Sequence, residues 1–187
     1  MDRRTALLRA LPILVFTVLF GTLIVLLALR TAGGVRQSED VIAAYLPVIP
    51  ACDGEAIALA PDYDPTAPAQ RVVVLRRAGT GWAPDPAVAP EAWQPDAPED
   101  AELVLCLEAS LPLTAPPCDG DQEEQRTYGY ATTARLVASA TGEEVASTIL
   151  NSAPDPGCWR TEPEAVPLSN EQIQAWLGPF VQPGTGE

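Results

Sequence analysis

The chain has 187 residues, with 25 acids against 11 bases, a formal net charge of −14, and neither histidine nor lysine. Those absences remove the commonest general base, the commonest zinc and haem ligand, the lysine of a P-loop and Schiff-base chemistry. From Thr31 onward 24 acids face seven arginines; so acidic a region is repelled by nucleic-acid phosphates and suits basic protein surfaces or cations.

The first predicted element is a membrane span. Ala10 to Leu29 reads ALPILVFTVLFGTLIVLLAL, 20 residues without a charge. As a helix it is about 30 Å long, the thickness of a bilayer core. Pro12 falls in its first turn, where a missing N–H costs little. Thr17 and Gly21 make a small-xxx-small pair suited to close packing against another helix. The alternative is a cleaved signal peptide, but the run is long for one and no A-x-A precedes a cut. Arg3, Arg4 and Arg9 precede the span while Arg30 and Arg36 follow it. That bias predicts a cytoplasmic N-terminus (1–9), a span (10–29), a stalk with a juxtamembrane helix (30–50) and an extracytoplasmic domain (51–187). The expected location is a bacterial inner membrane, with the acidic domain periplasmic.

Ser38 caps a predicted short helix through Leu46, ended by Pro47. Glu55 to Ala60 reads as a short helix or strand, and Ala60 to Gln70 as a proline-punctuated loop. Arg71 to Arg77 (RVVVLRR) is the clearest strand, followed by a turn at Ala78–Gly81. Trp82 to Pro98 reads as a long loop; Trp82 and Trp93 either pin it or offer a partner contact. Glu102 to Glu108 (ELVLCLE) is a second strong strand, and Leu111 to Gln125 another Pro- and acid-rich loop. Arg126–Ala138 and Glu144–Asn151 form a predicted hairpin around Gly142. Ser169 and Gln172 make a capping box for a terminal helix with Ile173, Trp176 and Leu177 on one face, stopped by Gly178 and Pro179. The sum is an α+β domain: four or five antiparallel strands with a C-terminal helix.

Cys52, Cys106, Cys118 and Cys158 all follow the apolar run, with no close pair and no histidine to complete a metal site. Two disulfides in an exported domain are the favoured reading, free buried thiols the other. Three connectivities are open. Cys118 and Cys158 both flank the open end of the predicted hairpin, which favours joining them and leaves Cys52 with Cys106.

Three features bear on chemistry. Asp119 to Glu124 is rich in acids, but its sixth and twelfth positions, Glu124 and Tyr130, exclude an EF-hand loop, so a solvated loop is the plainer reading. Asp62 and Asp64 flank Tyr63, a conceivable carboxylate pair but more simply a turn. Serines have no base, and no G-x-S-x-G or G-x-G-x-x-G occurs. No enzyme activity, cofactor, metal or small-molecule ligand is therefore expected.

The ordered set Ala51-Cys52-Asp53-Gly54, Tyr63-Asp64-Pro65, Arg71 to Leu75, Trp93, Ala101 to Cys106, Cys118, Ala134 to Val137, Thr141-Gly142-Glu143 and Pro154 to Cys158 resembles an uncharacterised extracytoplasmic domain of bacterial single-span membrane-anchored proteins. The resemblance covers roughly residues 50 to 180. It implies a β-rich module with paired cysteines and transfers no activity. Together these readings lead to an expected non-catalytic accessory subunit of a multi-subunit membrane complex, such as one of respiratory or photosynthetic electron transfer. Its partners would be other membrane subunits and the bilayer. The alternative is a free-standing anchored binding module.

Overall fold

Two apolar runs organise the fold, VVVLRRA and LVLCL. A strand alternates its side chains between two faces, so a run with no polar alternation has to be covered on both. The computed structural model describes residues 41–120, 124–161 and 163–182, and divides the chain into units Met1–Ala43 and Ala44–Glu187. The run Ala10–Leu29, with Thr17 and Gly21, lies outside the described residues. Among those described, no helix is long and apolar enough to cross a membrane. Residues 41–45 are helical, in line with the helix expected there.

The second unit is built on one six-stranded mixed sheet: β1 (Val72–Ala78), β2 (Gly81–Pro84), β3 (Leu103–Leu107), β4 (Leu111–Ala115), β5 (Arg126–Ala138) and β6 (Glu144–Asn151). The pairing order is β2-β1-β3-β5-β4, and β6 also pairs with β5. At 13 residues β5 is long enough for three neighbours. β3 lies along Ala134–Ala138 and β4 along Arg126–Ala131. The Glu108 N–H donates to the Thr133 carbonyl between those two segments. β6 pairs with β5 from Ala131 to Val137, and the hairpin turns at Gly142, φ +72°.

The wholly antiparallel sheet expected from the sequence is corrected at its centre, where β1 and β3 run parallel, Val72 opposite Leu103 through Arg76 opposite Leu107. Parallel neighbours need a crossover of a dozen or more residues. The stretch from Gly79 to Glu102 supplies it, and so it is more than a loop. It opens with β2, which hairpins back on β1 so that Trp82 pairs with Arg77. It then makes 3-10 turns at Glu91–Trp93 and Pro98–Asp100. The expected loop Leu111–Gln125 likewise begins with β4. Pro112 is tolerated there because it sits opposite Tyr130 and contributes no donor to the ladder. Glu55–Ala60 is neither helix nor strand but a turn region.

Each face of the sheet carries a layer. On one, Val72, Val74, Leu103, Leu105, Leu107, Ala134 and Leu136 meet Val88 and Ala89 of the crossover and the C-terminal helix, Asn170–Val181. Ile173, Leu177 and Val181 recur every four residues along that helix, and each is fully buried. Burying such side chains contributes about 1.5–3 kcal/mol apiece. The capping box at Ser169 and Gln172 is formed as expected. The expected stop at Gly178–Pro179 is not: the helix runs on to Val181 with Pro179 inside it. A proline this near the end forfeits one bond, and burial of Val181 holds the last turn in place.

The opposite face, with Val73, Leu75, Val104, Cys106 and Val137, is covered by Val48, Ala51, Cys52 and Ile57 from the N-terminal segment, with Ala101 and Trp82. The 3-10 turn Ile49–Asp53 carries Cys52 onto β3, where it is bonded to Cys106. The second disulfide joins Cys118 to Cys158, the pairing that the hairpin argument favours. Around it the chain closes a small knot: Cys118 N–H donates to the Trp159 carbonyl, Trp159 N–H to the Pro116 carbonyl, and the Trp159 indole to the Ala115 carbonyl at 2.9 Å.

Candidate functional site

The carboxylates singled out in the sequence lie at the surface. Asp62 and Asp64 are both exposed. Asp64 accepts from the Thr66 N–H and hydroxyl at 2.8 and 2.7 Å, a local turn, and those bonds hold its carboxyl below the usual range. Tyr63 between them packs toward the helix-side core, and burial raises its phenol pKa, helped by the Asp64 charge. Of the acidic stretch 119–124, residues 121–123 lie outside the described residues. Among the described residues no group of three or more potential ligands gathers for a metal.

The two candidate contact tryptophans separate. Trp82 is 8% exposed, part of the core on the N-terminal segment's face, with the Arg77 guanidinium 4.9 Å above its ring. It is therefore a core residue of β2, mostly withdrawn from the surface. Trp93 is half-buried and packs against the helix-side core, with its ring edge beside Gly178.

Four arginines make contacts within the domain. Arg71 donates to the Ala92 and Gln94 carbonyls and so ties down the crossover. Arg76 pairs with Asp85 at 2.7 Å, Arg126 with Glu124 at 3.0 Å, and Arg135 donates to the Cys52 carbonyl. Many carboxylates of the described residues, such as Asp53, Glu55, Asp96 and Glu99, are exposed. The domain presents negative charge outward.

One concave site is built from groups that sequence reading did not join. A cleft of about 290 Å³ is lined by Arg76, Ser110, Tyr130, Pro167 and Leu168. Arg76 continues on β1 the alternation of Val72 and Val74, which places it on the helix-side face. Ser110 lies in the short link between β3 and β4, its hydroxyl 2.7 Å from that of buried Thr132. Tyr130 lies two residues before Thr132 on the same face of β5. Pro167 and Leu168 lead into the helix cap.

The walls of this cleft are tied to one another. The buried Ser152 hydroxyl accepts from the Tyr130 N–H at 2.7 Å and donates to the Val166 carbonyl at 2.5 Å. It therefore fixes the segment before Pro167 against β5. Gly129 permits this approach, since a Cβ there would sit 2.8 Å from the Ser152 oxygen. Gln172 of the capping box adds weak bonds to the Asn151 and Ser152 carbonyls at 3.3 and 3.4 Å. No signal in the sequence joins residues 76, 110, 130 and 167, because the parallel β1–β3 pairing and the return of residues 163–168 bring them together. Comparison with family models, with curated proteins and with solved structures finds no match to this chain.

Proposed function

We propose that this chain is a non-catalytic, single-span accessory subunit of a bacterial membrane complex, anchored by Ala10–Leu29 and presenting an acidic, doubly stapled domain to a basic face of its partners. The observation that carries the reading is the distribution of charge. Beyond Thr31 the balance is 24 acids to seven arginines, and Arg71, Arg76, Arg126 and Arg135 each make a contact within the domain. A surface left so one-sided is suited to steering and register against a positive partner. The two disulfides and the doubly covered sheet support a rigid platform. The uncharged 20-residue run supports an anchor, and Thr17 with Gly21 a helix partner within the bilayer.

The test is extraction of native membranes in mild detergent, capture of the chain and mass spectrometry of what accompanies it. A fixed set of membrane subunits at near-equal stoichiometry, released by raised salt where the acidic domain provides the contact, is the expected result. Recovery of the chain alone across several detergents overturns the subunit reading in favour of a free-standing anchored module.

A further inference from the structure

We infer that the cleft between β1, β5 and the segment entering the C-terminal helix is a binding site for a small monocarboxylate with an apolar body. The inference stands apart from the subunit reading and concerns groups that reading does not use. Two of its polar groups, Arg76 and Ser110, are held in place. Asp85 engages the Nε of Arg76 at 2.7 Å, which fixes the guanidinium plane and leaves its two terminal nitrogens for a second, planar acceptor. Tyr130 brings a phenol to the same cleft, and Ser110 a hydroxyl already steadied by Thr132. Pro167 and Leu168 supply an apolar wall. The cleft thus sets a guanidinium, a hydroxyl and a phenol-bearing residue beside an apolar wall, the mix that an acid with an apolar body requires.

Size and charge narrow the ligand. The volume of about 290 Å³ lies at the small end of the range for ligand sites, which suits a small aromatic or short branched acid. The surplus of carboxylates over the domain penalises each further negative charge that approaches. A single carboxylate gains the bidentate arginine contact at the least cost, whereas a dicarboxylate or phosphate carries extra charge into a negative field. Pre-organisation favours binding further, because the Ser152 bridge between Tyr130 and Val166 already sets the spacing of the walls.

The probe is benzoate, titrated calorimetrically into the full-length chain in a non-ionic detergent. Its neutral analogue benzamide and the dicarboxylate terephthalate run alongside. The expected result is saturable one-to-one binding of benzoate, weakened roughly tenfold to a hundredfold in benzamide and in Arg76→Gln, as loss of a charge-assisted pair predicts. Tyr130→Phe, which keeps the ring, should weaken it severalfold, and Asp62→Asn, at an exposed position that does not line the cleft, should leave it unchanged. Absence of saturable benzoate binding at millimolar concentration overturns the proposal. So does equal binding of benzoate and benzamide by the unmodified chain, a comparison that stands even if a variant fails to fold. Terephthalate binding as tight as benzoate overturns the restriction to monocarboxylates.

Discussion

Removal of the outer disulfide by the double substitution Cys118→Ser, Cys158→Ser tests how this proline-rich domain is held together. The bond spans 40 residues of sequence. Chain-entropy bookkeeping for a loop of that length gives about 3.9 kcal/mol at 25 °C. Little apolar burial is lost with it, because Cys158 is exposed and Cys118 only half-buried. The inner bond spans 54 residues, for which the same relation gives about 4.2 kcal/mol. Cys52 and Cys106 are 1% and 0% exposed, however, so Cys52→Ala with Cys106→Ala adds cavities to the entropy loss. The outer variant should therefore fold but unfold earlier in urea. With a slope of about 2 kcal/mol/M, its midpoint should fall by roughly 2 M. The inner variant should fall further or fail to fold. The assay is urea unfolding of the full-length chain in detergent, followed by the fluorescence of Trp82, Trp93, Trp159 and Trp176, all in the domain. An outer variant within about 0.3 M of the parent would refute the loop-entropy account. Equal shifts for the two variants would refute the distinction between buried and exposed staples.

Gly142 at the β5–β6 turn has φ +72°, and a Cβ there would meet the Gly54 carbonyl oxygen at 2.6 Å; Gly142→Ala should cost more than about 2 kcal/mol. Gly79 shares the positive φ but has open space, so Gly79→Ala in the same thermal melt should cost only about 1 kcal/mol. Ser169→Ala removes the helix cap and should cost about 1 kcal/mol by urea unfolding. Ser152→Ala strands the Tyr130 N–H and should cost about 1–3 kcal/mol while weakening benzoate binding by calorimetry. The Asp64 carboxyl is depressed by its bonds to Thr66, and that of Glu171 by a bond from its own backbone N–H and by Ser169. Depressed carboxylates stabilise the fold above their ordinary range and lose that effect as pH falls through the folded value. Melting temperature should thus decline below about pH 4, and Asp64→Asn should flatten the decline.

Several elements were legible because local chemistry specifies them. The hairpin strands Arg126–Ala138 and Glu144–Asn151 and the Ser169–Gln172 capping box stand where β-branched residues, Gly142 and cap spacing put them. The doubly buried strands were legible as runs, but their relative direction was not. VVVL and LVLCL read the same whether parallel or antiparallel, and only the crossover through Val88 and Trp93 decides. β2 and β4 were hidden for a different reason. GWAP and LPLTA carry proline and too few β-formers to stand as strands alone, and are held by register against Arg77 and Ala131. Trp82 drew attention as an aromatic in an apparent loop, but its place in the core follows from its pairing with Arg77. The cleft was beyond sequence reading for the same reason: Arg76, Ser110, Tyr130 and Pro167 become neighbours through non-local pairing and the buried Ser152.

The central claim, an anchored subunit whose acidic domain docks on partners, is tested most directly by the size of the native particle. Membranes solubilised gently are resolved by native electrophoresis, and the chain is located with an antibody. The account predicts that this 19.8 kDa chain migrates in one discrete particle several times its mass. Raised salt should shift that particle downward as the acidic contacts are screened. Migration as a single copy in its detergent micelle, unchanged by salt, would contradict it.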